Sequence, residues 1–191
     1  MKTGNRKRGF LPPRAGFTLV ELLVVIAIIG LLAAIIVPVA GGAKKTAMKR
    51  RAMVEMNSIK VAVLQFYAEH RYMPWGTNAN DRVGADVWTL TDTQQADVMK
   101  ILTGDNAKKK AYLQIPAKSR QAANPLVFTD PWGQHYRIGM DRNMDGSMQP
   151  NDPDSLFGGY NAIKEKVLVY SLGPETPPNS ETALRSFDVV N

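Results

Sequence analysis

The 191-residue chain contains no cysteine. That excludes disulfides and thiolate metal sites. A small domain would then be held by packing, by a metal or by association with other chains. Histidine is scarce as well. His70 and His135 are the only two, and neither has a second His or Cys close by in sequence. A surface or hydrogen-bonded role is expected of each, not catalysis or metal binding. Also missing are a phosphate loop, a Gly-x-Ser-x-Gly turn and a His-Glu-x-x-His pair. With no polar constellation for acid–base or nucleophilic chemistry, an enzyme is not expected. A membrane-anchored periplasmic enzyme or binding protein is the alternative from another class.

Acidic residues are absent from the first 16 positions, which hold Lys2, Arg6, Lys7, Arg8 and Arg14. The whole chain carries a formal +7, from 24 Lys and Arg against 17 Asp and Glu. Without those 16 residues, 19 basic side chains face 17 acidic ones, which leaves +2. The high pI therefore belongs largely to the leader and points to no nucleic-acid partner. Lys44, Lys45, Lys49, Arg50 and Arg51 form a second basic group, beyond the apolar run. Charge alone thus leaves membrane orientation open.

Between the two groups lies a long apolar run, from Phe17 to Ala40, with one carboxylate at Glu21. As a helix it extends roughly 36 Å, beyond the roughly 30 Å hydrocarbon core of a bilayer. The residues suited to a peptidase, Ala15-Gly16-Phe17, precede the run and do not follow it. A plain signal anchor, or a secretory signal cut near Pro38-Val39-Ala40-Gly41-Gly42, is the alternative. Length and the intramembrane carboxylate oppose both. Glu21 either snorkels to the headgroups or finds a positive partner. Cleavage after Gly16 would create one, the α-amine of Phe17, four residues from Glu21 on one helical face. The pair would form within one copy or between copies, and the latter sets an axial register.

Gly16-Phe17-Thr18-Leu19-Val20-Glu21, the apolar run and the basic leader resemble the type IV prepilin family, which includes the pseudopilins of type II secretion. The resemblance implies cleavage between Gly16 and Phe17 by a prepilin peptidase, N-methylation of Phe17, and Glu21 as the carboxylate that registers subunits in a filament. Pro38 falls where the family bends its helix. The implied partners are further copies in a homopolymer, minor pseudopilins, an inner-membrane assembly platform and an assembly ATPase complex. The implied location is a single-pass inner-membrane protein with its C-terminal head in the periplasm, then a periplasmic pseudopilus or a cell-surface filament.

The expected fold is α+β and type IV pilin-like: a leader over 1–16, a long helix over 17–72 with 17–40 as membrane span and filament core, and a head over 73–191. Ala52, Met56, Ile59, Val63 and Phe66 recur at spacings of four and three, the stripe that docks a helix on a head. Gly30, Pro38, Gly41 and Gly42 weaken its middle. Its end is expected before Met73-Pro74. Thr91 with Gln94 forms a capping box for a short second helix, whose apolar face is Ala96, Met99, Ile101 and Leu102 and whose end is Gly104. Lys108-Lys109-Lys110 is read as a solvated turn.

The last third reads as a three-stranded antiparallel sheet over 135–140, 167–173 and 187–190, with a turn at Asp130-Pro131-Trp132-Gly133. Asp130-Pro131-Trp132-Gly133 and Tyr170-Ser171-Leu172-Gly173 resemble the G-type pseudopilins in particular. The implied function is a structural subunit of a type II secretion pseudopilus. The alternative is a type IV pilus subunit for adhesion, motility or DNA uptake. Residues 141–152 follow the spacing of a calcium loop: Asp141, Asn143 and Asp145 as oxygen donors, Gly146 at the sharp turn, Ser147 through its carbonyl, and Gln149 and Asp152 to complete the shell. An ion-free Asn/Asp/Gly turn is the alternative. The G-type calcium loop, after the second strand, corresponds here to residues 174–181, which lack its Asp-rich character.

Overall fold

The computed structural model describes residues 16–76, 84–157, 161–174 and 184–185. Apart from Gly16, the leader therefore lies outside the described residues. The chain forms two compact units, Met1–Lys44 and Lys45–Asn191. Helix α1 runs from Leu19 to His70 and supplies residues to both.

In the first unit every described side chain from Phe17 to Ile35 is exposed. The expected span over 17–40 reaches past these, since side chains 36–41 lie outside the description. Among the described residues no helix is long and apolar enough to cross a membrane. Pro38 lies within the continuous span of α1.

The second unit is the head. Its core follows the predicted stripe: Ala52, Met56, Ile59, Val63 and Phe66 are each 0% exposed. They pack with Ile138, Met140, Val167 and Val169 of the sheet and with Val98, Met99 and Leu102 of helix α2. Helix α2 spans Asp92–Leu102, and its N-cap Thr91 forms the expected capping box with Gln94. Gly104 follows at φ 126°. Helix α1 ends three residues earlier than the proline rule alone requires. Arg71 adopts φ 63°, and its N–H bonds Tyr67 O at 2.8 Å. A left-handed residue closes the helix before Met73-Pro74 exerts its restriction.

The sheet is antiparallel, in the order β1 (Val87–Trp88), β2 (Arg137–Met140), β3 (Val167–Ser171), β4 (Leu184–Arg185). Strands β2 and β3 lie within the predicted segments. The third C-terminal strand is formed at 184–185, and the expected 187–190 lies outside the described residues. Strand β1 extends the sheet beyond the three strands expected and comes from the middle of the chain. Its Trp88 pairs with Gly139, where an added Cβ would stand 2.5 Å from the indole ring. Strand alternation sends Leu168 and Tyr170 to the face opposite α1. There the β2–β3 connection brings Met148, Leu156, Phe157 and Ile163 to form a second core with Trp88. Both faces of β3 are consequently buried, which explains why Val167–Ser171 reads as a nearly continuous apolar run.

Candidate functional site

The predicted processing junction lies at the start of α1. Gly16, Phe17 and Thr18 precede the first helical turn and are exposed, Phe17 to 84%. Among the described residues nothing lies within 4 Å of the space a Gly16 Cβ would fill.

Thr18 caps the helix. The Glu21 N–H donates to Thr18 Oγ1 at 3.2 Å, while Glu21 Oε2 accepts from Thr18 N–H and Thr18 Oγ1–H, both at 2.8 Å. This is a reciprocal capping box. In the uncut chain Phe17 has a peptide nitrogen and no amine, and Glu21 is held by Thr18 and by the positive end of the helix dipole. Sequence reading of the Phe17–Glu21 pair overlooked Thr18. The signal was present in Thr18-Leu19-Val20-Glu21, which has the Thr-x-x-Glu spacing of a capping box.

The predicted calcium loop lies in the head. Asp141 is fully buried, and its two carboxylate oxygens accept from Met144 N–H at 2.6 Å and Gly146 N–H at 2.9 Å. Asn143 Oδ1 accepts from Asp145 N–H, and Asp145 Oδ1 accepts from Ser147 N–H and Oγ–H. The two Ser147 bonds, with a smaller contribution from the Asn143 amide, hold Asp145 below the usual carboxylate range. Gly146 has φ 88° and Met144 φ 63°.

Asp86, which sequence reading missed, joins this group beside β1. Its Oδ2 accepts from Gln149 N–H at 3.1 Å, and among the described residues its buried Oδ1 has no hydrogen bond within ordinary geometry. Burial, with smaller contributions from Asp141 and Asp145, pushes its pKa up. Asp152 is not brought to the group. Its carboxylate caps the backbone beyond, accepting from Leu156 N–H at 2.7 Å and Phe157 N–H at 3.0 Å. Among the described residues no three His, Asp or Glu side chains are gathered to hold a metal ion.

The two G-type signatures meet in space. Asp130 Oδ1 accepts from the Trp132 and Gln134 N–H groups of its own turn, and Asp130 Oδ2 accepts from Ser171 Oγ–H at 2.5 Å. Ser171 Oγ in turn accepts from Gly173 N–H. One buried carboxylate therefore ties Asp130-Pro131-Trp132-Gly133 to Ser171-Leu172-Gly173. His135 pairs with Asp92, and His70 stacks on Phe66 with ring centroids 4.2 Å apart. Lys108, Lys109 and Lys110 are exposed, as expected of a solvated turn, and within it Lys108 and Lys110 reach Glu69 while Lys109 reaches Asp105.

Residues 11–37 match the family model of the prokaryotic N-terminal methylation motif. With the long helix and the α+β head, this makes the chain similar to type IV prepilin-like proteins. The chain is similar to the type II secretion system core protein G of Escherichia coli strain K12. The two are 29% identical over 121 residues, which is 63% of this chain and 68% of that protein. No solved structure matches the chain. The similarities point to a pilin-like family and not to a family of enzymes.

Proposed function

We propose that this protein is a structural subunit of a type II secretion pseudopilus. A prepilin peptidase cuts between Gly16 and Phe17, Phe17 is N-methylated, and the mature stem anchors in the inner membrane before joining further copies. The observation that carries the reading is the methylation motif over 11–37 on a chain similar to core protein G. Its physical support is the exposed apolar stem with one carboxylate, Glu21. Lipid, and then neighbouring stems, would cover that surface. Cutting after Gly16 frees an amine one residue before the Thr18 cap. Glu21 then exchanges part of its capping role for a charge pair, within a copy or with the next copy. Pro38 supplies the weak point at which the stem bends.

ATP-driven assembly, the membrane platform and minor pseudopilins come from other chains. Deleting the gene and assaying both secreted enzymes and surface fibres tests the assignment. Lost secretion with intact fibres is the expected result. Lost fibres with intact secretion would make the chain a type IV pilus subunit.

The head loop is proposed to take a calcium ion through Asp141, Asn143, Asp145 and the Ser147 carbonyl. The buried Asp86 Oδ1 supports an oxygen donor from outside the loop. Gln149 and Asp152 are the other donors read from the spacing, and the Asp152 carboxylate is occupied by the Leu156 and Phe157 N–H groups. A cation there would relieve the crowding of Asp86 by Asp141 and Asp145.

A further inference from the structure

The function proposed above leaves one sequence feature unused, the basic group just beyond the apolar run. Within ten residues or so of Ala40 come Lys44, Lys45, Lys49, Arg50 and Arg51, with no acidic residue among them. Arg51 is committed: its guanidinium holds Glu55 at 2.9 Å and Ser119 Oγ at 2.7 Å. The others have no anionic partner among the described residues. Lys45 and Arg50 are exposed and Lys49 is half-buried. Lys118, also exposed, lines the same groove of about 390 Å³ as Arg50. Elsewhere on the head several lysines are paired: Lys60 with Glu165, Lys100 and Lys109 with Asp105, Lys108 and Lys110 with Glu69.

Geometry narrows the missing counter-charge. At 3.6 residues per turn, Lys49, Arg50 and Lys44 stand about 40°, 140° and 260° around the helix from Lys45. The charges form a ring and not a stripe. A single docked protein would meet one side of the helix, whereas a bilayer surface surrounds it. Lys45 and Lys49 are also like charges four apart, an arrangement that weakens an isolated helix. An anionic surface would convert that cost into attraction.

We infer that Lys44, Lys45, Lys49 and Arg50, with Lys118 beside them, form a collar that binds the anionic phospholipid headgroups of the leaflet facing the head. The inference rests on the membrane-anchored reading above. Held this way, the subunit is fixed in depth and its head kept upright until assembly withdraws it, so extraction from the membrane must break these contacts.

The full chain reconstituted into two kinds of vesicle provides the test, with phosphatidylcholine alone or mixed with phosphatidylglycerol. Amine acylation of Lys45 and Lys49 is measured by mass spectrometry against Lys164 as internal reference. Both lysines should label about fivefold more slowly in the anionic vesicles, and high salt should abolish the difference. The double variant Lys49→Glu/Arg50→Glu should abolish it at Lys45 as well. Equal labelling in the two vesicle types, with the chain floating with both, overturns the collar and leaves the anchor intact. Protection in phosphatidylcholine vesicles that rises with protein density assigns the ring to a second copy and overturns the lipid assignment. A chain that floats with neither vesicle overturns the anchor and the collar together.

Discussion

Glu55 is 6% exposed on the helix face that meets the head, and its carboxylate accepts from Arg51, from Ser119 Oγ–H at 2.6 Å and from Tyr136 Oη–H at 2.6 Å. Removing one member of such a network leaves the others unpaired, so Glu55→Ala should destabilise the head by about 3 kcal/mol or more. Arg51→Ala should cost less, because the Arg51 side chain is 29% exposed. Chemical denaturation of the two variants compares them. Asp130 makes a different prediction. Burial pushes its pKa up, so the folded state holds its proton more tightly than the unfolded state. Its contribution is full below the unfolded value of about 3.9 and is lost as pH rises through the raised folded value. Asp130→Asn should flatten the fall in melting temperature over that interval. At this scale the methylation motif over 11–37 was legible because it is contiguous. Asp86 was not, since 55 positions separate it from Asp141 and only the pairing of β1 with β2 brings them together.

Among the elements, both helices could be read from the sequence, because a stripe and a capping box are local signals. Strand β1 could not: two residues give no periodicity, and the chain enters the sheet there only because Gly139 leaves room for Trp88. Gly139→Ala would drive a methyl into the indole ring and should cost about 1–3 kcal/mol, read as a lowered denaturation midpoint with β1 amides losing exchange protection first. The clasp at the C-terminal end of α1 was equally hidden, since Glu69 meets Lys108 and Lys110 across some 40 positions. Lys110, with Tyr112, holds Glu69 at about 2. A depressed carboxylate stabilises above its unfolded value of about 4.3 and loses that contribution as pH falls towards 2. Carboxyl NMR of Glu69 should therefore show a strongly lowered pKa, and Lys110→Ala should return it most of the way.

The molecule as a whole divides its labour. The first unit presents apolar side chains and one capped carboxylate. The second encloses two small cores, one on each face of its sheet. With no disulfide to lock the head, the long β2–β3 connection gains from any ion that orders it. Asp145→Ala should lower the melting temperature in calcium and leave it nearly unchanged in chelator. Equal shifts in the two conditions would mark an ion-free turn. The central claim concerns the other unit: an apolar stem, cut to free a positive end beside Glu21, drives self-assembly. Intact-mass spectrometry of the protein from its native membrane tests it most directly. The account predicts a chain that begins at Phe17 and carries one added methyl group. A chain that keeps residues 1–16, or is cut after Ala40, would contradict it.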